Sequence, residues 1–160
     1  MRIILISFIL IVNLSHTLFA KIASVIGNPL SQEIYFEVNK NTKNYPASLT
    51  KLMTLYIIFD ELKSKNINLD DRVYFSKHAT NQQPSKLGIG IKDFITVDEI
   101  IDSLIIKSAN DAAVAIAEKI SGSEKQFVKN MNNYVRKLNL ENTNFANPHG
   151  LPNKANLSTA

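Results

Sequence analysis

The sequence contains no cysteine, which excludes a disulfide framework and a thiolate metal site. Its three histidines are His16, near the N-terminus, and His78 and His149, which lack metal-ligand spacing. The lysines are scattered without interleaved aromatic residues, an arrangement that argues against a nucleic-acid partner. The loop-like stretch 81–90 has two glycines but neither the preceding strand nor the third glycine of a phosphate-binding fingerprint. We therefore expect no metal, no cofactor and no nucleic acid.

What the sequence does contain is enough apolar material for one folded domain. Its length is 160 residues and 45% of them are hydrophobic, so a real core can be buried and wholesale disorder is not expected. The formal net charge is +4, a mild excess that weakly favours anionic cell-wall or membrane surfaces.

The first twenty residues have the pattern of a targeting segment. Arg2 supplies a positive start, residues 3–12 are apolar, and a short polar stretch leads to Ala20. The apolar run is too short to cross a hydrocarbon layer of ~30 Å. This pattern favours a cleaved signal peptide over residues 1–20, with an uncleaved anchor as the alternative, and leaves residues 21–160 as the mature domain.

The remaining pattern predicts two strands followed by a mostly helical body. Residues 21–26 and 34–38 are β-compatible, residues 73–75 form a short extended piece, and 49–62 is a helix apolar on all sides, which places it at the centre of a core. Capping boxes that begin at Thr96 and Ser123 open helices to about Ile106 and Leu138. Between them an alanine-rich helix runs from Asp111 to Ile120 and closes at Gly122, and turn-forming residues dominate after Asn139.

The segment 46–54 (PASLTKLMT) carries the main chemical signal. Ser48 and Lys51 are three residues apart at a predicted helix start, so their side chains share one face and the amine can take the hydroxyl proton. Taken alone, the pair has an ordinary explanation, because serine is a preferred N-cap residue and Lys51 could be solvated. Ser108 and Asn110 have the same structural explanation as residues that end one helix and cap the next.

Four sequence blocks together resemble a known family. They are PASLTKLMT at 46–54, KSANDAA at 107–113, NPHGL at 147–151 and LSTA at 157–160. The four blocks occur in the same order as in the family, and residues within 122–132 also match the family sequence. The chain resembles the low-molecular-mass penicillin-binding proteins, specifically the D-alanyl-D-alanine carboxypeptidases, in which Ser-x-x-Lys is followed by a Ser-x-Asn motif. The resemblance implies an α+β fold of the β-lactamase/transpeptidase type, with an antiparallel sheet covered by helices.

The resemblance also implies a function and a set of site residues. The expected enzyme is exported, to the periplasm or the outer face of the cytoplasmic membrane, and removes the terminal D-alanine from peptidoglycan stem peptides ending in D-Ala-D-Ala. Ser48 would be the acylated nucleophile, Lys51 its base and Ser108 a proton relay to the leaving amine. Asn110 would bind the substrate peptide group, the Ser48 N–H would form half of an oxyanion hole, and β-lactams would be inhibitors.

This chemistry sets a quantitative demand on Lys51. To be largely neutral near pH 7 its pKa must fall ~3 units from ~10.4, at a cost of about 4 kcal/mol. A helix N-terminus supplies only ~0.3–2 kcal/mol of that. Burial and a nearby cation must supply the rest.

One family motif is missing from the sequence. No Lys-Thr-Gly or Lys-Ser-Gly occurs, and the strand that carries it in the family, with its carboxylate-binding lysine and second oxyanion N–H, is absent, as are the other C-terminal strands. We therefore interpret residues 21–160 as a partial catalytic domain and expect little or no carboxypeptidase activity from them alone. One alternative is a non-catalytic peptidoglycan-binding remnant. The other is a serine β-lactamase, but this chain has Ser-Ala-Asn in place of Ser-Asp-Asn, and its NPHGL block resembles the carboxypeptidases.

Overall fold

The computed structural model describes residues 22–160, so the predicted signal peptide, residues 1–20, lies outside the described residues. The chain begins with an antiparallel hairpin in which β1 (Ser24–Gly27) pairs with β2 (Ile34–Val38). A second, separate hairpin pairs β3 (Arg72–Tyr74) with β4 (Phe94–Thr96). The two strands predicted near the N-terminus are confirmed, whereas β4 was not predicted.

Helices make up the rest of the regular structure. Their bounds are α1 (Thr50–Lys63), α2 (Lys77–Thr80), α3 (Val97–Asp102), α4 (Asn110–Ser121) and α5 (Glu124–Lys137). A 3₁₀ turn, Ala47–Leu49, precedes α1, and a π-helical turn, Ser103–Lys107, extends α3. The combination of helices with antiparallel strands confirms the predicted α+β fold class. Within residues 22–160 no helix is long and apolar enough to cross a membrane.

Local capping explains where the helices begin and end. The Thr96 hydroxyl accepts from the Glu99 N–H while the Glu99 carboxylate accepts from the Thr96 N–H, which confirms the predicted capping box. The Ser123 hydroxyl caps α5 by accepting from the Gln126 N–H. Gly122 ends α4 with φ of 75°, the left-handed conformation that glycine adopts without a steric penalty.

Helix α4 forms the centre of the molecule. Its residues 112–117 are all buried, and they pack against α2, α3, β3 and α5. Two apolar clusters meet along it. One contains Phe75 and Ile100 beneath the second hairpin, and the other contains Phe127 and Met131 between α1 and α5. The alanine-rich sequence of α4 lets these neighbours approach closely.

Helix α1 is not buried on all sides, and that prediction is wrong. Ile57 and Ile58 are fully buried, but Leu49, Leu52, Tyr56 and Phe59 are 68%, 63%, 45% and 51% exposed. These four residues recur at helical spacing and form one stripe, which we call the open stripe. The described residues pack against only the other side of the helix. Hydropathy alone could not distinguish the covered side from the open one, because both are apolar.

The open stripe gives a direct stability test. We expect Ile57→Ala to lower the free energy of unfolding by about 2–5 kcal/mol because it leaves a cavity in a fully buried position. Leu52→Ala, on the same helix but in the open stripe, should change it by no more than about 0.5 kcal/mol. Urea unfolding of both variants provides the measurement, and equal losses would contradict the assignment of the two faces.

Candidate active site

Ser48 lies in the 3₁₀ turn that leads into α1, and its side chain is accessible to solvent. The turn is closed by a hydrogen bond from the Leu49 N–H to the Pro46 carbonyl, at 3.0 Å. Ala47, immediately before Ser48, has φ of 46°, a left-handed conformation that costs a non-glycine residue roughly 1–2 kcal/mol. The predicted nucleophile is thus presented at a strained turn at the start of a helix that is buried on one side.

Lys51 is buried one turn further along, and only 3% of the residue is exposed. Its Nζ donates to Asn110 Oδ1 at 2.8 Å and to the backbone carbonyl of His149 at 2.7 Å. Burial lowers the pKa of Lys51 to about 8. This shift is in the direction that a catalytic base requires, but within the described residues it leaves the ammonium form predominant at pH 7.

Ser108 is brought to the same place from a distant part of the sequence. The π-helical turn ends at Ser108, which has φ of 56° and ψ of 40°, again left-handed. Single π-helical turns within helices often occur at functional sites. Ser48, Lys51 and Ser108 line one open cavity of about 410 Å³, which also has apolar walls from Leu52 and Leu104. Three of the predicted site residues therefore share one cavity.

Asn110, the fourth predicted residue, is the first residue of α4 and is 4% exposed. Its Oδ1 accepts from Lys51, and its Nδ2 donates to the Gln83 carbonyl at 2.9 Å. Its backbone N–H donates to the Ser85 carbonyl at 2.7 Å. The amide group is thus held in one orientation, with its oxygen toward Lys51.

The segment 147–151 contributes to the site through its backbone, which the sequence reasoning did not predict. The Pro148 carbonyl accepts from the Thr54 hydroxyl at 2.7 Å, next to the bond from Lys51 to the His149 carbonyl. The Asn147 amide closes the segment on itself, since it donates to the Leu151 carbonyl. The NPHGL block could have drawn attention here, but a carbonyl acceptor has no side-chain signature.

Gly150 shows how closely this segment approaches Ser48. A Cβ at this position would lie 1.8 Å from the Ala47 oxygen and 3.1 Å from the Ser48 nitrogen, and the residue has φ of 90°. Both facts require glycine. Glycine at position 150 thus allows this segment to lie directly against the backbone of Ala47 and Ser48.

The His149 side chain is buried beside the site. Its Nδ1 accepts from the Leu151 N–H at 3.1 Å, and its Nε2 lies 3.7 Å from the Glu124 carboxylate, which also contacts His78 at 2.5 Å. Burial, with the positive charges of Lys51 and His78 as smaller contributions, lowers the pKa of His149 to about 4. Within residues 22–160 no three histidine, aspartate or glutamate side chains are arranged to hold a metal ion.

The arrangement of helices and hairpins over residues 22–160 is that of the penicillin-binding and transpeptidase proteins, and comparison with known proteins identifies the family. The family model described as D-alanyl-D-alanine carboxypeptidase matches residues 15–160. The chain therefore belongs to the D-alanyl-D-alanine carboxypeptidase family.

Individual relatives agree with this assignment. The chain is 40% identical over 141 residues to D-alanyl-D-alanine carboxypeptidase DacF of Bacillus subtilis, an alignment covering 88% of this chain and 36% of the relative. The structure of DacD from Francisella tularensis matches with a TM-score of 0.84 and 34% identity, over 88% of this chain and 35% of that one. Penicillin-binding protein 5 from Haemophilus influenzae matches with a TM-score of 0.77 and 38% identity, over 81% and 38%.

These matches confirm the transpeptidase-type fold over the described part of the chain. They also show that the chain spans about a third of the length of the curated relatives it matches.

Replacing Gly150 tests the close approach to Ser48. We expect Gly150→Ala to lower the free energy of unfolding by about 2–5 kcal/mol, combining left-handed strain with overpacking against Ala47. Gly122→Ala is the matched control, because Gly122 has φ of 75° but nothing within 4 Å of an added Cβ. Denaturant unfolding should show a clearly smaller loss for the control. Equal losses would mean that the contact with Ala47 contributes nothing.

The His149 pKa predicts a pH dependence of stability. Because the folded-state pKa of about 4 lies below the ordinary 6.5, the unfolded chain binds a proton in this window that the folded chain does not. Stability should therefore fall as the pH drops from 6.5 to 4, by on the order of 3 kcal/mol from this residue. Below pH 4 its contribution should no longer change.

The variant His149→Asn isolates this contribution. Asparagine can still accept from the Leu151 N–H but has no proton to gain in this range. Urea unfolding at several pH values between 4 and 7 should give a flatter profile for the variant than for the wild type. Parallel profiles would contradict the assignment of the acid sensitivity to His149.

Proposed function

We propose that this chain carries the nucleophile-bearing part of a serine-type D-Ala-D-Ala carboxypeptidase. The substrate would be a peptidoglycan stem peptide ending in D-Ala-D-Ala, and β-lactams would acylate the same serine. The observation that supports this most strongly is the buried Lys51, held by two oxygen acceptors in a cavity that also contains Ser48 and Ser108. Family membership supplies the reaction class.

In the proposed mechanism Lys51 acts as the base for Ser48. A neutral lysine amine has two N–H donors and one lone pair. Asn110 Oδ1 and the His149 carbonyl can accept the two N–H bonds, at the 2.8 and 2.7 Å separations observed. The lone pair is then left to take the Ser48 proton as the oxygen attacks the penultimate carbonyl.

Ser108 and Asn110 would act on the two sides of the scissile bond. Ser108 would pass a proton from Lys51 to the departing amine of D-alanine, after which water hydrolyses the acyl-serine. Asn110 uses one Nδ2 proton for the Gln83 carbonyl, so its second Nδ2 proton can bind the carbonyl of the substrate's peptide group. The Ser48 N–H, next to Gly150, would donate to the developing oxyanion.

The same proposal places the protein outside the cytoplasm, in the periplasm or at the outer face of the cytoplasmic membrane. It is supported by the pattern of residues 1–20 and by the location of a peptidoglycan substrate. The mild positive charge is compatible with association with an anionic membrane surface.

The acyl-serine step can be tested with a fluorescent penicillin. We expect the purified chain to be labelled slowly, at Ser48, because a strained lactam amide is more reactive than a peptide and needs mainly the nucleophile and its base. Turnover of a D-Ala-D-Ala peptide by the same sample should be little or none. Gel fluorescence and peptide mass spectrometry locate the label.

Two serine variants complete this experiment. Ser48→Ala should abolish labelling, whereas Ser64→Ala should not affect it, because Ser64 is exposed at the end of α1 and belongs to a second Ser-x-Asn sequence. Binding to peptidoglycan without any acylation would overturn the enzyme proposal in favour of a non-catalytic binding protein. Labelling that persists in Ser48→Ala would overturn the choice of nucleophile.

A further inference from the structure

Asp111 is a fully buried acidic residue that the proposed mechanism does not use. It follows Asn110 in the first turn of α4, and it is 0% exposed. A carboxylate in such a place is stable only when hydrogen bonds replace the lost water. Its Oδ1 accepts from the Leu87 N–H at 3.0 Å and the Ala112 N–H at 2.9 Å, and its Oδ2 accepts from the Gly88 N–H at 2.9 Å.

Two of these three donors belong to the segment 83–88, which we call the strap. The same strap supplies both acceptors that hold Asn110, namely the Gln83 carbonyl for the side-chain amide and the Ser85 carbonyl for the backbone N–H. The Ser85 hydroxyl adds a bond to the Lys107 carbonyl at 2.9 Å. The strap is therefore attached to 107–111 at both of its ends.

These contacts have a consequence for Lys51. An amide side chain can present either its oxygen or its nitrogen, and the carbonyl of Gln83 can accept only from the nitrogen. With Nδ2 fixed in this way, Oδ1 faces Lys51 and accepts from its Nζ. If the strap moved away, Asn110 would lose both carbonyl partners and water could reach the buried amine.

We propose that Asp111 is a positioning residue, whose carboxylate holds the strap against α4 so that the strap fixes the Asn110 amide with its oxygen toward Lys51. Asp111 acts through Asn110 and contacts neither Ser48 nor Lys51 in the contacts described for residues 22–160. The inference concerns the same site and rests on the proposed roles of Lys51 and Asn110.

The direction of the Lys51 pKa change distinguishes positioning from simple charge removal. Asp111→Asn removes a negative charge, and that effect alone would lower the pKa of a nearby lysine. Release of the strap would instead let water reach the amine. Since burial is what depresses the Lys51 pKa to about 8, rehydration should raise it toward 10.5. Loss of the Asp111 charge therefore cannot explain an upward shift of the Lys51 pKa.

The experiment uses the full chain and needs no catalytic activity. NMR titration of the Lys51 side chain, assigned with Lys51→Arg, should show a higher pKa in Asp111→Asn. Amide hydrogen exchange at Leu87, Gly88 and Asn110 should become at least about tenfold faster while the centre of α4 stays protected. Asp98→Asn is the control, because Asp98 also lies in a helix first turn but is exposed, and it should change neither reading.

An unchanged or lowered Lys51 pKa in a folded Asp111→Asn chain would overturn the proposal. If that variant does not fold, wild-type hydrogen exchange decides the question. The amides of Leu87, Gly88 and Asn110 should then open with one common free energy, and clearly different values would overturn the coupling. Absence of Ser48 acylation would count against the proposed function and leave these NMR readings valid.

Discussion

The structure around the site depends on the burial of one lysine side chain. An ammonium group removed from water is costly unless its donors are satisfied, and Lys51 is 3% exposed. Its two acceptors come from parts of the sequence 59 and 98 residues away, the Asn110 side chain and the His149 backbone. The strap and the segment 147–151 are each held by further hydrogen bonds that keep those acceptors in place. The burial that lowers the Lys51 pKa therefore depends on the arrangement of the loops around it.

Backbone strain lies at the same location. Ala47 precedes Ser48 with φ of 46°, and Ser108 ends the π-helical turn with φ of 56°. Left-handed conformations cost non-glycine residues roughly 1–2 kcal/mol, and they persist only where the surroundings hold them. At Ala47 the 3₁₀ turn and the close contact with Gly150 provide that restraint. At Ser108 the following N–H, of Ala109, donates to the Ser103 carbonyl at 3.1 Å.

The sequence predicted features whose cause is local, and it missed those whose cause is distant. The Thr96 capping box and the first hairpin were predictable because neighbouring residues determine them. Ser48, Lys51, Ser108 and Asn110 were nominated by their spacing within motifs and by their order along the chain. The π-helical turn, by contrast, was not predicted, since the capping box at Thr96 indicated one helix to about Ile106.

The His149 carbonyl could not be nominated from the sequence, because every residue has a carbonyl group. The error on α1 has a related origin. Its composition indicates two apolar faces, but composition does not say what packs on each of them. The described residues cover the Ile57 side and leave Leu52 open.

The open stripe and the incomplete pKa shift of Lys51 have a common physical basis. Leu49 and Leu52 line the cavity that holds Ser48 and Lys51, and they also line a neighbouring groove of about 600 Å³ whose walls include Ser158 and Ala160. A layer of protein packed on these two leucines would bury the N-terminal half of the open stripe and remove water from the adjoining cavity. Because desolvation is what lowers the Lys51 pKa, such a layer would lower it below about 8. Covering this apolar surface and lowering the Lys51 pKa are thus coupled through the same two side chains.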